Sequence, residues 1–259
     1  SGCGVGFKLV QGYAQKKNID FRKVERLLDL VVVSTAADIV PLTGENRVLA
    51  YYGLKMLNEN PRKGLKSIIK ICGLDKHQIT IDDIVFKIGP RINAAGRLGG
   101  ASSAARMFLT EDPREAAALA EHLCNLNHRR QEEENGIYEQ IMARIKEQPE
   151  LTRGKTMMLW GDDWHNGVIG IVSSRLSDRY GVPCVLISMT GDSGKGSGRS
   201  IKGFNLYAAL EKNAHLLEKY GGHELAVGLT VKRENLEALR TALEEYASGD
   251  REEEVTPCV

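Results

Sequence analysis

The chain has 259 residues, of which 42% are hydrophobic and 27% charged, and its formal net charge is +1. This composition is that of a globular protein with one or two domains and excludes a disordered or fibrous chain. Every apolar run is shorter than the roughly 20 residues that cross a bilayer. Because the net charge is close to zero, bulk charge indicates nothing for or against a nucleic-acid partner.

The five cysteines are scattered and include no Cys-x-x-Cys pair. Isolated cysteines in apolar surroundings behave as small buried hydrophobes in a reducing compartment. The pattern therefore predicts free thiols and a cytoplasmic location, and it argues against a zinc site.

The first 110 residues predict a helical region. Apolar residues recur at helical spacing in residues 21–42, 44–60 and 64–74, and Pro41 ends the first of these segments. The segment TIDDIVFKIG, residues 80–89, begins with a threonine and two acidic residues, which is typical of a helix N-terminus.

Residues 112–148 predict one long helix, about 50 Å in length. Pro113 lies in its first turn, where proline is tolerated, and Pro149 lies just beyond its end. A helix of this length often joins two lobes, so we expect a domain boundary near its end.

Residues 152–250 alternate between strand and helix patterns. Two short apolar runs, TMMLW and PCVLIS, flank an amphipathic helix, which is a β–α–β pattern. A glycine-rich stretch (191–198), a helix (205–219), a strand (224–231) and a helix (233–247) are predicted to follow. The fold class is therefore α/β with a mixed or parallel sheet.

Two segments lack any carboxylate and carry basic residues. Residues 87–110 contain Arg91 and Arg97 among glycines and alanines, and residues 193–210 contain Arg199 among glycines and serines. Small residues let a ligand backbone approach closely, and arginine suits bidentate contact with phosphate. Each segment alone is equally compatible with an ordinary surface loop or a glycine-rich hairpin.

Three further residues stand out in their local sequence. His223 follows two glycines, His165 lies in the turn GDDWHNG, and Asp38 is the one acid in VVVSTAADIVPL. Each is compatible with chemistry at a phosphate or a metal. Each is also compatible with a structural role, as a packed histidine or a helix cap, and the residues alone leave both readings open.

The order of the motifs carries more information than any one of them. The motifs are STAADIVPL, GENRVLAYYGLKML, GPRINAAGRL, LNHRRQ, DDWHNGVIGIVSSRL, GSGRSI and YGGHELAVGL. Read together, they resemble the RecJ family of bacterial single-strand-specific exonucleases, within the DHH phosphoesterase superfamily. The resemblance extends from Ser1 to about Gly249.

The resemblance implies a domain organisation. Residues 1–110 would be the C-terminal part of a DHH domain, 111–150 a long connecting helix and 151–250 a DHHA1 α/β domain with a mixed sheet. Residues 251–259 would be a linker tail.

It also implies site residues. Asp38 would be a metal ligand and His223 a catalytic residue near the scissile phosphate. The nucleic-acid and phosphate contacts would come from Arg91, Asn93, Arg97, His165, Ser197, Arg199, Ser200, Gly221 and Gly222.

The family uses two Mn²⁺ or Mg²⁺ ions to hydrolyse single-stranded DNA from the 5′ end. Its members act in DNA repair and recombination, so the implied partners are single-stranded DNA, a single-strand-binding protein and a repair helicase, with no membrane.

The sequence departs from the family in two ways. It contains no Asp-His-His triplet and no earlier aspartate motif, so we expect a chain cut inside the DHH domain, with an incomplete metal site and no activity alone. Ser34 and Ala36 also stand where the family commonly has Gly and Val. Two alternatives remain: a non-catalytic relative that only binds single strands, and a DHH phosphodiesterase for very short oligonucleotides.

Overall fold

The structure, a computed structural model, describes residues 1–249, so the predicted linker tail at 251–259 lies outside the described residues. The chain divides into two compact units, Ser1–Arg130 and Gln131 onward. The division falls inside the long helix, whereas the sequence places a boundary near that helix's end. The predicted domain limits stay a prediction. No helix in the described part of the chain is long and apolar enough to cross a membrane.

The first unit is helical. Its helices run in chain order as α1 (Gly2–Lys16), α2 (Arg22–Glu25), α3 (Leu28–Ala37), α4 (Gly44–Glu59), α5 (Lys63–Ile71), α6 (Ile81–Asp83), α7 (Gly89–Arg97) and α8 (Ala101–Leu109). A π-helical turn, Ile84–Ile88, joins α6 to α7. The start of α9 (Pro113–Glu147) completes the unit, and the observed span confirms the predicted long helix.

Apolar side chains from α3, α4, α5, α7 and α9 form the core of this unit, with Val32, Leu57, Ile68 and Leu123 almost fully buried. Thr80 begins α6 as predicted: its hydroxyl accepts from the Asp83 amide, and the Asp83 carboxylate accepts from the Thr80 amide. This reciprocal capping box satisfies two helix-end donors. The hydrogen bond from Lys87, foremost, holds the pKa of Asp83 well below its usual range.

The second unit is a five-stranded sheet with helices. Its elements are β1 (Met157–Asp162), α10 (Ile169–Tyr180), β2 (Cys184–Thr190), β3 (Ser193–Arg199), α11 (Leu206–Lys212), β4 (Leu217–His223), β5 (Ala226–Lys232) and α12 (Leu236–Gly249). The strand order is β1-β2-β3-β5-β4. Because β1 and β2 are parallel and every other pair is antiparallel, the sheet is mixed, which confirms the predicted fold class.

The two faces of the sheet differ in what covers them. Side chains of β2, β3 and β5 pack with α11 and α12 in one apolar core. On β3 the residues that face this core are Gly194, Gly196 and Gly198, where a larger side chain would clash. A Cβ on Gly198, for example, would lie 2.7 Å from Val227 and 2.8 Å from Leu206. The alternate residues of β3 point to the other face, which α10 covers over β2 and β3.

Two predicted elements differ from the structure. The segment 21–42 was expected to be one helix but is interrupted between Glu25 and Leu28, where α2 ends and α3 begins. The helix expected at 205–219 ends at Lys212, and residues 217–223 form β4 instead. Strand pairing with β5 overrides the helical spacing of the apolar residues there.

Candidate nucleic-acid interface

Arg199 lies at the end of β3, half-buried beside the first turn of α10. A Cβ on Gly170 of α10 would lie 2.8 Å from Ser197 Oγ and 3.1 Å from an Arg199 terminal nitrogen. Glycine at this position therefore lets the helix backbone approach both side chains. The helix begins at Val168, and no described side chain caps its N-terminus. Backbone carbonyls already accept from most amides of this turn, since Val168 and Ile169 donate to the His165 carbonyl and Ile171 donates to the Val168 carbonyl. The positive end of the helix dipole still favours an anion at this place.

The hydrogen bonds of Arg199 leave its charge unneutralised. One terminal nitrogen donates to Ser197 Oγ at 3.2 Å and to the Gly198 carbonyl at 2.8 Å. Within residues 1–249 no carboxylate forms an ion pair with this guanidinium, and burial lowers the pKa of Arg199. A partly desolvated cation without a counter-ion is stabilised by any anion that takes the place of water.

The strand register places His223 in the same row as Arg199. Arg199 pairs with Ala226 across β3 and β5, and Ala226 pairs with His223 across β5 and β4. Directly paired residues of antiparallel strands point to the same face. The three side chains therefore project from the face of the sheet that carries α10.

Both predicted histidines have their Nδ1 atoms occupied. His223 Nδ1 accepts from the Leu225 amide at 3.3 Å, and His165 Nδ1 accepts from the Gly167 amide at 3.1 Å. A neutral imidazole that accepts at Nδ1 carries its proton on Nε2. Each ring can therefore donate from Nε2 to a phosphate oxygen without becoming charged.

The next row of the same face is almost bare. Ser197 pairs with Gly228, and Gly228 pairs with Gly221. A Cβ on Gly221 would meet nothing within 4 Å, and one on Gly228 would meet only the Gly196 carbonyl at 4.0 Å. Neither crowding nor a positive φ requires glycine at these two positions. Because both lack a side chain, the backbone there forms a flat strip that a ligand can approach.

Gly222 and Ser200 have structural partners. Gly222 has a φ of 137°, and a Cβ there would lie 2.3 Å from the Ala226 carbonyl oxygen, so the tight turn into β5 requires glycine. The Ser200 hydroxyl donates to the Phe204 carbonyl at 2.8 Å, which closes the turn after β3. Their contacts with phosphate stay a prediction.

Sequence reasoning missed four residues of this face. Lys195, Thr230 and Lys219 pair in a third row across β3, β5 and β4. With Asn166, from the turn before α10, they line a cavity of about 290 Å³. Lys195 was visible in its carboxylate-free segment, but Lys219 and Thr230 needed the pairing of β4 with β5, which was not predicted. We call the surface formed by the three rows on the α10 side the open face.

The turn that carries His165 is fixed by Trp164. The Trp164 ring is buried and stacks over Gly161, its Nε1 donates to Gln140 Oε1 at 2.9 Å, and its carbonyl accepts from the Ser188 hydroxyl. Asp162 forms an ion pair with Arg233 at 2.6 Å. These contacts fit the structural interpretation of the turn, in which the tryptophan is packed and the acids do not bind a metal.

In the first unit, Asp38 ends α3 and is exposed. Ile39 follows with a φ of 52°, and the Val40 amide bonds back to the Thr35 carbonyl at 3.0 Å. This is a Schellman ending with isoleucine in the left-handed position that glycine usually occupies. A carboxylate at a helix C-terminus lies in an unfavourable dipole field, so a cation there would be stabilised.

The segment GPRINAAGR forms α7 and packs on the end of α3. A Cβ on Gly89 would lie 3.1 Å from the Cβ of Ala37, the residue before Asp38. Asn93 and Arg97 are exposed and one helical turn apart, so they share a face. Arg91 instead folds back and donates to the Lys87 carbonyl at 2.5 Å. The structure thus brings the elements of Asp38, Asn93 and Arg97 together.

The described residues do not assemble a metal centre. Residues 1–249 contain no group of three His, Cys, Asp or Glu side chains placed to share an ion. A hard divalent cation takes six or more oxygen ligands, and a two-ion site needs bridging carboxylates as well. Asp38 alone does not fit that requirement.

Comparison with known proteins agrees with this geometry. The DHHA1 domain family matches residues 152–249, the second unit's sheet and helices. The single-stranded-DNA-specific exonuclease RecJ of Bacillus subtilis is 36% identical over 256 residues, which is 98% of this chain and 32% of that relative. Over nearly its whole length this chain is similar to RecJ proteins. The family resemblance drawn from the seven motifs is thereby confirmed.

Other RecJ proteins match at similar levels. RecJ of Escherichia coli is 34% identical, over 90% of this chain and 44% of its own length. The crystal structure of RecJ from Thermus thermophilus in complex with Mn²⁺ superposes with a TM-score of 0.82 over 91% of this chain and 34% of that one. A crystal structure of exonuclease RecJ bound to manganese superposes with a TM-score of 0.81, over 95% of this chain and 60% of that one. The chain spans about a third to under half of the curated relatives it matches.

Proposed function

We propose that this chain is part of a RecJ-type exonuclease that hydrolyses single-stranded DNA, and that its own contribution is to bind the strand. The observation that carries the proposal is the open face, where a half-buried Arg199, with no carboxylate partner among residues 1–249, lies beside the N-terminal end of α10. Phosphate oxygens satisfy both features at once. RecJ relatives are named for this substrate, which supports the assignment.

The open face suits a single strand better than a duplex. Its bare strip of Gly221 and Gly228 leaves room for a sugar-phosphate chain, and the cation and hydroxyl beside the strip suit phosphate oxygens. Backbone contact of this kind tolerates any base sequence. We therefore propose sequence-independent binding at the open face, with contacts from Ser197, Arg199 and His223. For the first unit we propose separately that Asn93 and Arg97 contact nucleic acid.

We propose a limited role in metal binding. Asp38 supplies one ligand to a divalent ion of the kind that occupies RecJ structures solved with Mn²⁺ or Mg²⁺. Among residues 1–249 no group of three potential ligand side chains is placed to complete a two-ion site. The chain alone therefore has no robust nuclease activity. We also propose that it works in the cytoplasm, in repair or recombination beside a single-strand-binding protein and a helicase.

One assay separates the proposed roles. The chain is incubated with Mn²⁺ and a 5′-labelled single strand, and binding to the same strand is measured in a mobility-shift assay with a duplex competitor. We expect a shifted single strand, weak competition by duplex and no release of mononucleotides. Processive release of mononucleotides would show that the chain is catalytic by itself, and failure to shift the strand would remove the binding role.

A non-catalytic binding protein is the second candidate. The lone carboxylate of Asp38 favours it, because nothing near that residue in the described part of the chain completes a metal site. The deciding experiment joins the N-terminal residues of the Bacillus subtilis relative to Ser1. A chimera that digests single strands supports the exonuclease, whereas one that binds but never cuts supports the second candidate.

A further inference from the structure

The third row of the open face lies beyond the residues that the proposed function uses. Lys195, Thr230 and Lys219 occur on three adjacent strands and are joined by the strand register. Their side chains border one cavity with Asn166 and Ile169 from the start of α10. Two cationic side chains, a hydroxyl and an amide thus come from four separate segments to one depression.

Neither lysine is neutralised within the chain. Lys195 and Lys219 are exposed, and among residues 1–249 neither forms an ion pair with a carboxylate. Glu218, on the bulge of β4, accepts from the Ser193 hydroxyl at 3.0 Å, which holds that acid at the start of β3. The row therefore presents uncompensated positive charge with donor groups on either side, which is the chemistry that recognises a phosphodiester.

The distance between the rows sets the length of ligand that can reach both. Arg199 and Lys195 are four residues apart on β3, so their rows are separated by about 13 Å. The bare row of Ser197, Gly228 and Gly221 lies between them. A stacked strand advances about 3.4 Å per nucleotide and an extended strand roughly twice that, so roughly two to four nucleotide steps span the two charged rows. A mononucleotide or a dinucleotide reaches one row only.

We propose that Lys195, Thr230 and Lys219, with Asn166, form a second phosphate subsite that makes the open face prefer oligonucleotides of about four or more nucleotides. The Arg199 row holds one phosphate, and the Lys195 row holds a later phosphate of the same strand. The preference rests on the proposed function, because it assumes that the open face binds single strands. It also disfavours the alternative of a phosphodiesterase for dinucleotides.

The test compares oligothymidylates of two and six nucleotides, each carrying fluorescein, by fluorescence anisotropy. The variants are Lys195→Ala/Lys219→Ala, Arg199→Ala, and a control, Lys146→Ala/Arg153→Ala, which removes two exposed positive charges outside the open face. Thermal melts monitored by circular dichroism verify that each variant folds.

For the unchanged chain we expect tighter binding of the hexamer than of the dimer. The double lysine variant should weaken hexamer binding by about tenfold or more and change dimer binding by less than about twofold. Its hexamer salt dependence should become shallower by roughly 0.7, as the loss of one phosphate contact on a single strand requires. The control should leave both affinities near the original values.

Three outcomes contradict the subsite. They are an equal loss for dimer and hexamer, a control that weakens the hexamer as much, and a lysine variant that changes nothing. The proposed function fails separately. If the unchanged chain binds neither oligomer, both ideas are wrong. If Arg199→Ala has no effect while the lysine variant does, the second subsite stands and the phosphate cradle at Arg199 does not.

Discussion

The two units assemble their candidate sites in different ways. In the second unit, strand pairing collects Arg199, His223 and the row of Lys195, Thr230 and Lys219 on one face, although they are up to 35 residues apart in sequence. In the first unit, Asp38 stands at the end of a helix and no second acid joins it in the described part of the chain. A sheet can thus build a complete binding surface from about 60 residues. A metal site is complete only when every ligand is present.

The units also differ in what holds them together. The first unit contains a buried ion pair between Asp29, 2% exposed, and Arg62, whose Nε and Nη2 donate to the carboxylate at 2.7 and 2.6 Å. Arg62 also donates to the Phe108 and Arg26 carbonyls, each at 3.1 Å. The second unit relies on an apolar core beneath its sheet. Variants that separate these two sources of stability sharpen the comparison.

The largest effect is expected at the ion pair. Arg62→Met should lower the free energy of unfolding of the first unit by about 3 to 5 kcal/mol, because the buried Asp29 carboxylate loses its counter-ion and keeps only the Leu30 amide as a donor. Hydrogen exchange should locate the loss in α3 and α5 and leave β2 and β3 protected. The double variant Arg62→Met/Asp29→Leu serves as the control and should recover part of the stability. A loss under about 1 kcal/mol in the single variant contradicts the account.

His223 tests whether the open face serves catalysis as well as binding. In a chimera with the N-terminal residues of the Bacillus subtilis relative, His223→Ala should lower turnover by about a hundredfold and affinity much less. The reason is that its Nε2 proton can stabilise the reacting phosphate, whereas Arg199 supplies the charge for binding. Turnover and strand affinity are measured on the same protein. Equal losses in both would reduce His223 to a positioning residue.

The capping box makes a smaller, pH-dependent contribution. Asp83→Ala should cost the first unit about 1 to 2 kcal/mol at neutral pH, because the Thr80 amide and Lys87 lose their acceptor. Folding lowers the pKa of Asp83, so its stabilisation is present above the unfolded value of about 4 and declines as the pH falls below it. Urea unfolding at pH 7 and pH 3 measures both. A difference that stays constant between the two pH values argues against the cap.

The smallest expected effect is a gain in stability. Ile39→Gly should stabilise the first unit by about 0.5 to 1 kcal/mol, because a β-branched residue is strained at positive φ and this one is 77% exposed. Ile71→Gly is a matched control at an exposed helical isoleucine and should destabilise instead. Thermal melts compare the two. A loss of stability in Ile39→Gly would mean that its side chain makes contacts that outweigh the strain.

The sequence predicted the elements with strong local patterns. The long helix, the Thr80 start and the β–α–β unit were confirmed because caps, prolines and apolar spacing agree there. It did not predict β4, because Leu216, Leu217 and Tyr220 repeat at helical spacing and only the partner strand decides the conformation. Lys195 was visible in its carboxylate-free segment, but its pairing with Lys219 and the Asp29–Arg62 ion pair depend on long-range contacts for which local patterns carry no signal.

The predicted site residues fall into two groups in the structure. Arg199, Ser197, Gly221 and His223 lie on one face, as expected of residues that bind one ligand. Gly222, Ser200 and Arg91 have structural contacts that the sequence did not reveal. The family resemblance indicated these residues as phosphate contacts. Their hydrogen-bond partners within the chain could be seen only in the folded structure.

The central claim is that the open face binds single-stranded DNA through Arg199, and the salt dependence of binding tests it most directly. Anisotropy of a labelled oligothymidylate is titrated at several salt concentrations with the unchanged chain and with Arg199→Ala. We predict that the variant binds more weakly and that the slope of log K against log salt becomes shallower by roughly 0.7 to 1, as the loss of one phosphate contact requires. An unchanged affinity and an unchanged slope would contradict the claim.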